Sequence, residues 1–159
     1  MLLRELKSTD TPAIESIYDL YWTGDFRANL SKRLKGFIEN SPDVIAQGFK
    51  YFVAEDNGEI VGVAAFRKLP EHMKEYATTN NPVEFYVSAV KYKGKGIGTA
   101  LRTKRIEEAK ALGYTEALFY SGDTHQDSWA FHDNSDFKRV ATTTAPNGEV
   151  GQIWRMEFK

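Results

Sequence analysis

From Val83 to Val90 the chain reads as an apolar strand, Val83-Glu84-Phe85-Tyr86-Val87-Ser88-Ala89-Val90. It then passes through a glycine-rich turn, Lys93-Gly94-Lys95-Gly96-Ile97-Gly98, into a helical pattern running from Ile97 to Leu112 that Gly113 ends. A strand that feeds a helix through glycines at every second position leaves little freedom in fold class: this is an α/β chain. It also predicts an anion site. The first N–H groups of a helix have no partner within it, the helix dipole adds partial positive charge, and glycine lets backbone approach a ligand closely. Lys93 and Lys95 add mobile cations. The expected phosphate-binding residues are Lys93, Gly94, Lys95, Gly96, Ile97, Gly98, Thr99 and Ala100.

The remaining pattern surrounds this unit with further elements. Leu2 to Leu6 predicts a first strand, and Ser8-Thr9-Asp10-Thr11-Pro12 a helix start followed by Ile14, Ile17, Tyr18 and Tyr21 at helical spacing. Leu30, Leu34, Phe37 and Ile38 predict a second helix, closed by Asn40-Ser41-Pro42. Tyr51 to Glu55 and Ile60 to Phe66 flank Asp56-Asn57-Gly58, a strong hairpin signal. A polar loop from Pro70 to Pro82, with room for a short helix, precedes the central strand. Thr115 to Tyr120 predicts a strand, Gln126 to Asn134 a short helix, and Phe137 to Thr142 with Gly151 to Phe158 a closing hairpin. No linker or repeat divides the chain, so one domain, 1–159, is expected.

Which phosphate the loop holds is narrowed by spacing. A nucleotide P-loop needs GxxxxGK followed by Ser or Thr, and a dinucleotide fingerprint needs GxGxxG after the first strand. The loop matches neither. It resembles the signature of the GNAT superfamily of acyl-CoA-dependent N-acetyltransferases: Arg or Gln, two residues, Gly, one residue, Gly or Ala. Lys93 takes the opening position, and Thr99-Ala100-Leu101 and Ala109-Lys110-Ala111-Leu112-Gly113-Tyr114 continue the likeness. The resemblance runs from the first strand to the closing hairpin. It implies a mixed, mostly antiparallel sheet of six to seven strands flanked by about four helices. It further implies acetyl-CoA as co-substrate, a primary amine of a small molecule or peptide as acceptor, and direct attack in a ternary complex. Superfamily members often form homodimers. A longer acyl group, or an acyl-CoA sensor without turnover, are the competing readings.

Composition bounds the alternatives. The net charge is −1 with a pI near 6.3, so no global positive field recruits nucleic acid or an anionic membrane. With no cysteine there is no thiolate metal site and no thiol acyl-enzyme. No metal is expected. The absence of disulfides and of a long apolar run predicts a cytoplasmic protein.

The resemblance also assigns roles along the chain. Val87 and Ser88 are the candidates whose backbone groups face the acyl thioester. Glu84, on the same strand, is the candidate general base, acting through water; a strand-edge glutamate without duty is the competing reading. Ser128 to Arg139 resembles a second family motif in which a Tyr or His precedes Gly-Phe by four residues. His132 takes that place before Asp136-Phe137 and is the candidate acid for the leaving thiolate. Asp136 replaces the glycine, with the left-handed conformation as an expected strain, and His125 replaces an asparagine. Tyr18, Tyr21, Trp22, Asp25 and Phe26 are expected to wall the acceptor side. Arg105 interrupts the apolar stripe of Ile97, Leu101, Ala109 and Leu112 and is expected to snorkel at its rim.

Overall fold

A computed structural model describes residues 1–159. Seven strands, β1 (Leu2–Glu5), β2 (Lys50–Asp56), β3 (Glu59–Lys68), β4 (Pro82–Val90), β5 (Glu116–Gly122), β6 (Lys138–Thr144) and β7 (Val150–Glu157), form one sheet in the order β1-β2-β3-β4-β5-β7-β6. The α-helices are α1 (Thr11–Asp19), α2 (Gly24–Ile38), α3 (Pro42–Ala46), α4 (Ile97–Ala111) and α5 (Trp129–Asp133), with short 3-10 turns at Ser8–Asp10, Glu71–Tyr76 and Asp123–Ser128. The sheet is mixed. β4 and β5 are parallel, whereas β1–β2, β2–β3, β5–β7 and β6–β7 are antiparallel. The chain packs as two compact units, Met1–Arg67 with Val87–Glu107, and Lys68–Tyr86 with Glu108–Lys159.

In the first unit, Phe52 to Ala54 and Val63 to Phe66 are buried without alternation, as befits strands covered on both faces. Ile14, Ile17 and Tyr18 of α1, Leu30 and Leu34 of α2, and Ile97 and Leu101 of α4 are buried with them. The β2–β3 turn places Asn57 at φ 50° and Gly58 at φ 80°, the pair of positive angles that Asn-Gly accommodates in a tight hairpin. Arg4 joins Asp10 (2.8 Å) and Glu55 (2.9 Å), fixing β1 to the helix that follows.

One boundary is corrected. Asn40, at φ 54°, closes α2: its N–H donates to Phe37 O (3.2 Å) and the Ser41 N–H to Gly36 O (2.8 Å). Pro42, expected to belong to that stop, instead opens α3, because proline at a first helical position sacrifices no hydrogen bond.

In the second unit, β7 pairs with β5 and β6, and Phe119 of β5 stacks on Trp154 of β7 with ring centroids 5.3 Å apart. Glu116 is wholly buried and accepts from the backbone N–H groups of Thr78 (2.8 Å) and Thr79 (2.6 Å) and from both hydroxyls. That network secures the segment leading into β4. Gly113, at φ 90°, ends α4 as expected: its N–H reaches Lys110 O and the Tyr114 N–H reaches Ala109 O.

Candidate active site

The loop from Lys93 to Gly98 carries two left-handed residues, Gly94 at φ 73° and Gly96 at φ 77°. A Cβ built on either would meet nothing within 4 Å, so crowding does not demand glycine there; the backbone angle does. Gly98 lies within α4. The Ala100 N–H makes the first helical bond, to Gly96 O at 3.0 Å. The N–H groups of Ile97, Gly98 and Thr99 therefore precede the ladder and are the ones a helix start leaves for a ligand, while the Ala100 amide is spent on the helix. Lys93, Gly94, Lys95, Gly96 and Thr99 are exposed, and Ile97 turns inward.

Three sets of contacts hold this loop in its unit. Gly62 on β3 is the close-approach glycine: a Cβ there would stand 2.8 Å from Ile97 Cγ2 and 2.9 Å from Leu101 Cδ1. The first turns of α4 thus rest directly on β3 backbone. Lys91 Nζ (2.5 Å) and the Tyr92 hydroxyl (3.1 Å) bind Glu59, and the Lys91 N–H donates to Val61 O (2.8 Å). The Tyr21 hydroxyl donates to Val90 O (2.5 Å), and Lys93 Nζ lies 5.6 Å from the centre of the Tyr21 ring. Of the expected acceptor-side residues, Tyr18 is fully buried. Tyr21, Trp22 and Phe26 form a run of touching rings, and Asp25 and Phe26 are exposed.

β4 is the fourth of seven strands, so Glu84 is no edge residue; it is 7% exposed and sits in the parallel ladder opposite Leu118. That overturns the exposed-edge reading. Val87 is buried and Ser88 exposed. Arg105 does not snorkel: it is 4% exposed, and its Nη1 donates to Ala65 O (3.3 Å) and Val87 O (3.4 Å). Burial, and then the charge of Arg102, push the guanidinium down to about 9, which still leaves it protonated at neutral pH.

In the second unit, α5 carries His132, whose half-buried ring meets Phe119 edge-on at 4.5 Å and Trp154 at 5.0 Å. Phe137 joins the group, 5.0 Å from Phe119 and 5.7 Å from Phe85 of β4. Asp133, next to His132, binds Arg139 (2.5 Å) and the Trp154 indole N–H (3.0 Å), and these contacts, Arg139 first, hold its carboxyl below the ordinary range. Arg139 lies over both Trp129 (5.0 Å) and Trp154 (5.1 Å).

Asp136 shows no left-handed strain, since the only non-glycine residues with positive φ are Asn40 and Asn57. Ser135 does the work expected of a glycine there: its hydroxyl donates to His132 O (2.6 Å) and accepts from the Phe137 N–H (3.2 Å). His125 is half-buried at a kink in the 3-10 turn, with φ −122° and ψ 33°. Tyr120 is engaged elsewhere, donating to Glu149 O (2.8 Å); burial first, then Glu149, raise its hydroxyl above the ordinary tyrosine range. No group of three His, Cys, Asp or Glu side chains is arranged to hold a metal ion, and no helix is long and apolar enough to cross a membrane.

Sequence reasoning found the loop from its spacing but missed Gly62 and the inward course of Arg105. Both depend on which strand α4 lies against, and no local pattern carries that.

A central strand followed by two left-handed glycines and a helix N-terminus, within a mixed sheet, defines the chain as an α/β protein. The acetyltransferase (GNAT) family model matches residues 12–137, and the chain belongs to that family. No curated protein matches the sequence. Among solved structures, a GNAT-family protein from Desulfovibrio desulfuricans has a TM-score of 0.79 at 16% identity, covering 98% of each chain. An N-acetyltransferase from Staphylococcus aureus has a TM-score of 0.72 at 23% identity, covering 99% of this chain and 98% of the other. The PaiA N-acetyltransferase of Thermoplasma acidophilum, solved in complex with coenzyme A, has a TM-score of 0.68 at 13% identity, covering 99% and 98%. These likenesses are in fold.

Proposed function

We propose that the chain, acting as one domain over 1–159, is an N-acetyltransferase that moves the acetyl group of acetyl-CoA to a primary amine by direct attack in a ternary complex. The observation that carries this is the loop from Gly94 to Thr99, where two left-handed glycines lead into three helix-start amides that precede the helical ladder, beside Lys93 and Lys95. Such a cradle suits a pyrophosphate, and membership of the acetyltransferase family makes coenzyme A the fitting one.

The thioester supplies the activated acyl group: a nitrogen–carbon bond forms, a carbon–sulfur bond breaks, the nitrogen loses a proton and the sulfur gains one. Each task has a candidate. Lys93, Lys95 and the amides of Ile97, Gly98 and Thr99 hold the phosphates, with Ala100 closing the first helical turn behind them. The peptide joining Val87 to Ser88 offers its N–H, that of Ser88, to the acyl carbonyl, which benefits from a fixed donor as its oxygen gains charge. Glu84 accepts the amine's proton through water, and His132 returns one to sulfur. With no cysteine in the chain, direct attack is the economical route.

The test is thiol release from acetyl-CoA in the presence of a panel of small amines and peptide N-termini. Release that rises with one amine class above background hydrolysis supports the reading. Acetyl-CoA binding with no acceptor-dependent release would replace it with a sensor, and preference for longer acyl-CoA would revise the donor.

A further inference from the structure

Arg105 occupies the position on α4 where the stripe facing the sheet calls for an apolar side chain, and it is buried there. Its two carbonyl contacts are not incidental to the strand geometry. Ala65 pairs across the sheet with Tyr51, and the Tyr51 carbonyl accepts from the Leu6 N–H at 3.2 Å. Tyr51 therefore turns its backbone groups toward β1, and Ala65 turns its own away from β2, toward β4. The Ala65 carbonyl and that of Val87 on β4 thus converge on one nitrogen, Nη1, which has a hydrogen for each. Two carbonyl oxygens brought together cannot bond to each other. A buried cation satisfies both, where an apolar residue would leave them unmet.

The consequence lies on the far side of the same peptide. The chain has no cis peptide bond, so the Val87–Ser88 unit is planar and trans. Its C=O and N–H point in opposite directions. A Val87 carbonyl held on Arg105 sends the Ser88 N–H away from β3. Ser88 is exposed between buried Val87 and Ala89, and it lies past the ladder that β4 shares with β5 from Pro82 to Glu84. A cation on the carbonyl also polarises the amide, strengthening it as a donor.

We infer that Arg105 is a positioning residue: by binding the Val87 carbonyl it aims the Ser88 N–H that donates to the acyl carbonyl oxygen. This rests on the function proposed above. Arg105 touches no reacting atom. It acts through one rigid peptide, which separates it from a residue that merely fills the core.

The experiment compares Arg105→Met and Arg105→Lys with the native chain by three measurements: the Ser88 amide resonance and its solvent exchange, acetyl-CoA affinity by calorimetry, and kcat with a responsive amine. Arg105→Met should move the Ser88 resonance and speed its exchange. It should lower kcat by about 10²-fold, the scale of one misplaced oxyanion donor, and leave acetyl-CoA affinity little changed. Arg105→Lys, which keeps a cation, should recover part of both. A Ser88 amide unchanged in Arg105→Met overturns the inference, as does a loss of affinity equal to the loss of kcat. Should Arg105→Met fail to fold, Arg105→Lys carries the same test, because the lysine ammonium ends one bond short of Nη1 and holds the Val87 carbonyl less closely; a native Ser88 amide in it would overturn the role. If no amine supports turnover, the functional reading fails, while the Ser88 resonance still decides whether Arg105 sets that peptide.

Discussion

The glycine loop and the aromatic group around α5 are built on opposite principles. The loop is distinguished by backbone: Gly94 and Gly96 supply angles that other residues avoid, and the amides at the start of α4 precede its helical ladder. Its lysines are exposed, and Lys93 stands where the signature it resembles has Arg or Gln. Around α5 the reverse holds. His132 is placed by Phe119 and Trp154, and α5 by Asp133, Arg139 and the two tryptophans. No residue there has a positive φ, and the side chains are fixed by one another, from Asp133 with Arg139, near in sequence, to His132 with Trp154, far from it. A backbone site is damaged by changing angles; a side-chain site is damaged by changing what packs behind it.

The largest effect should come from the side-chain region. His132→Phe keeps the aromatic packing and removes the proposed proton donor, so turnover should fall by about 10²–10⁴-fold with acetyl-CoA affinity nearly native. Steady-state kinetics beside a binding titration check this, and undiminished turnover would strip His132 of its role. Glu84→Gln belongs to the same range, but its loss should be greatest at low pH, where unprotonated amine is scarcest. A rate profile parallel to that of the native enzyme at every pH would place the base elsewhere.

The next prediction probes what supports the loop. Gly62→Val drives a side chain into Ile97 and Leu101, and overpacking of this kind costs about 1–3 kcal/mol. Thermal unfolding should report that cost, and acetyl-CoA affinity should fall because the start of α4 is displaced. Native affinity would show that the loop does not depend on its seat. The smallest effect concerns neither region. Arg4, and then the Lys7 N–H, hold the Asp10 carboxyl below its ordinary value. Its folded pKa is depressed, so its stabilisation is present above pH ~4 and lost as pH falls through the folded value. Asp10→Asn should cost about 1–2 kcal/mol at neutral pH and less in acid; an equal deficit at both would refute the coupling.

What the sequence disclosed follows the same division. Gly94, Gly96, Gly113 and the Asn57-Gly58 turn were legible because a positive φ leaves its mark on the residue that adopts it. The central strand was legible as a mostly apolar run from Val83 to Val90, broken only by Glu84, which is buried, and Ser88, which is exposed. Pro42 misled because proline both ends helices and begins them, and Asn40 alone settles which. Arg105 misled because a charge on an apolar stripe usually escapes along its stem; only the converging carbonyls of Ala65 and Val87, eighteen or more residues away in sequence, keep it inside. Gly62 carries no local mark at all. Its reason is the helix that lies against it.

The central claim is that the Gly94–Thr99 cradle binds the coenzyme A pyrophosphate. Calorimetric titration of acetyl-CoA into the native chain and into Gly96→Glu tests it most directly, with circular dichroism to show that the fold persists. Gly96→Glu puts a side chain on a left-handed residue and a negative charge among the donors, so binding should be seen in the native chain and lost in the variant. Equal affinity in the two folded proteins would contradict the account.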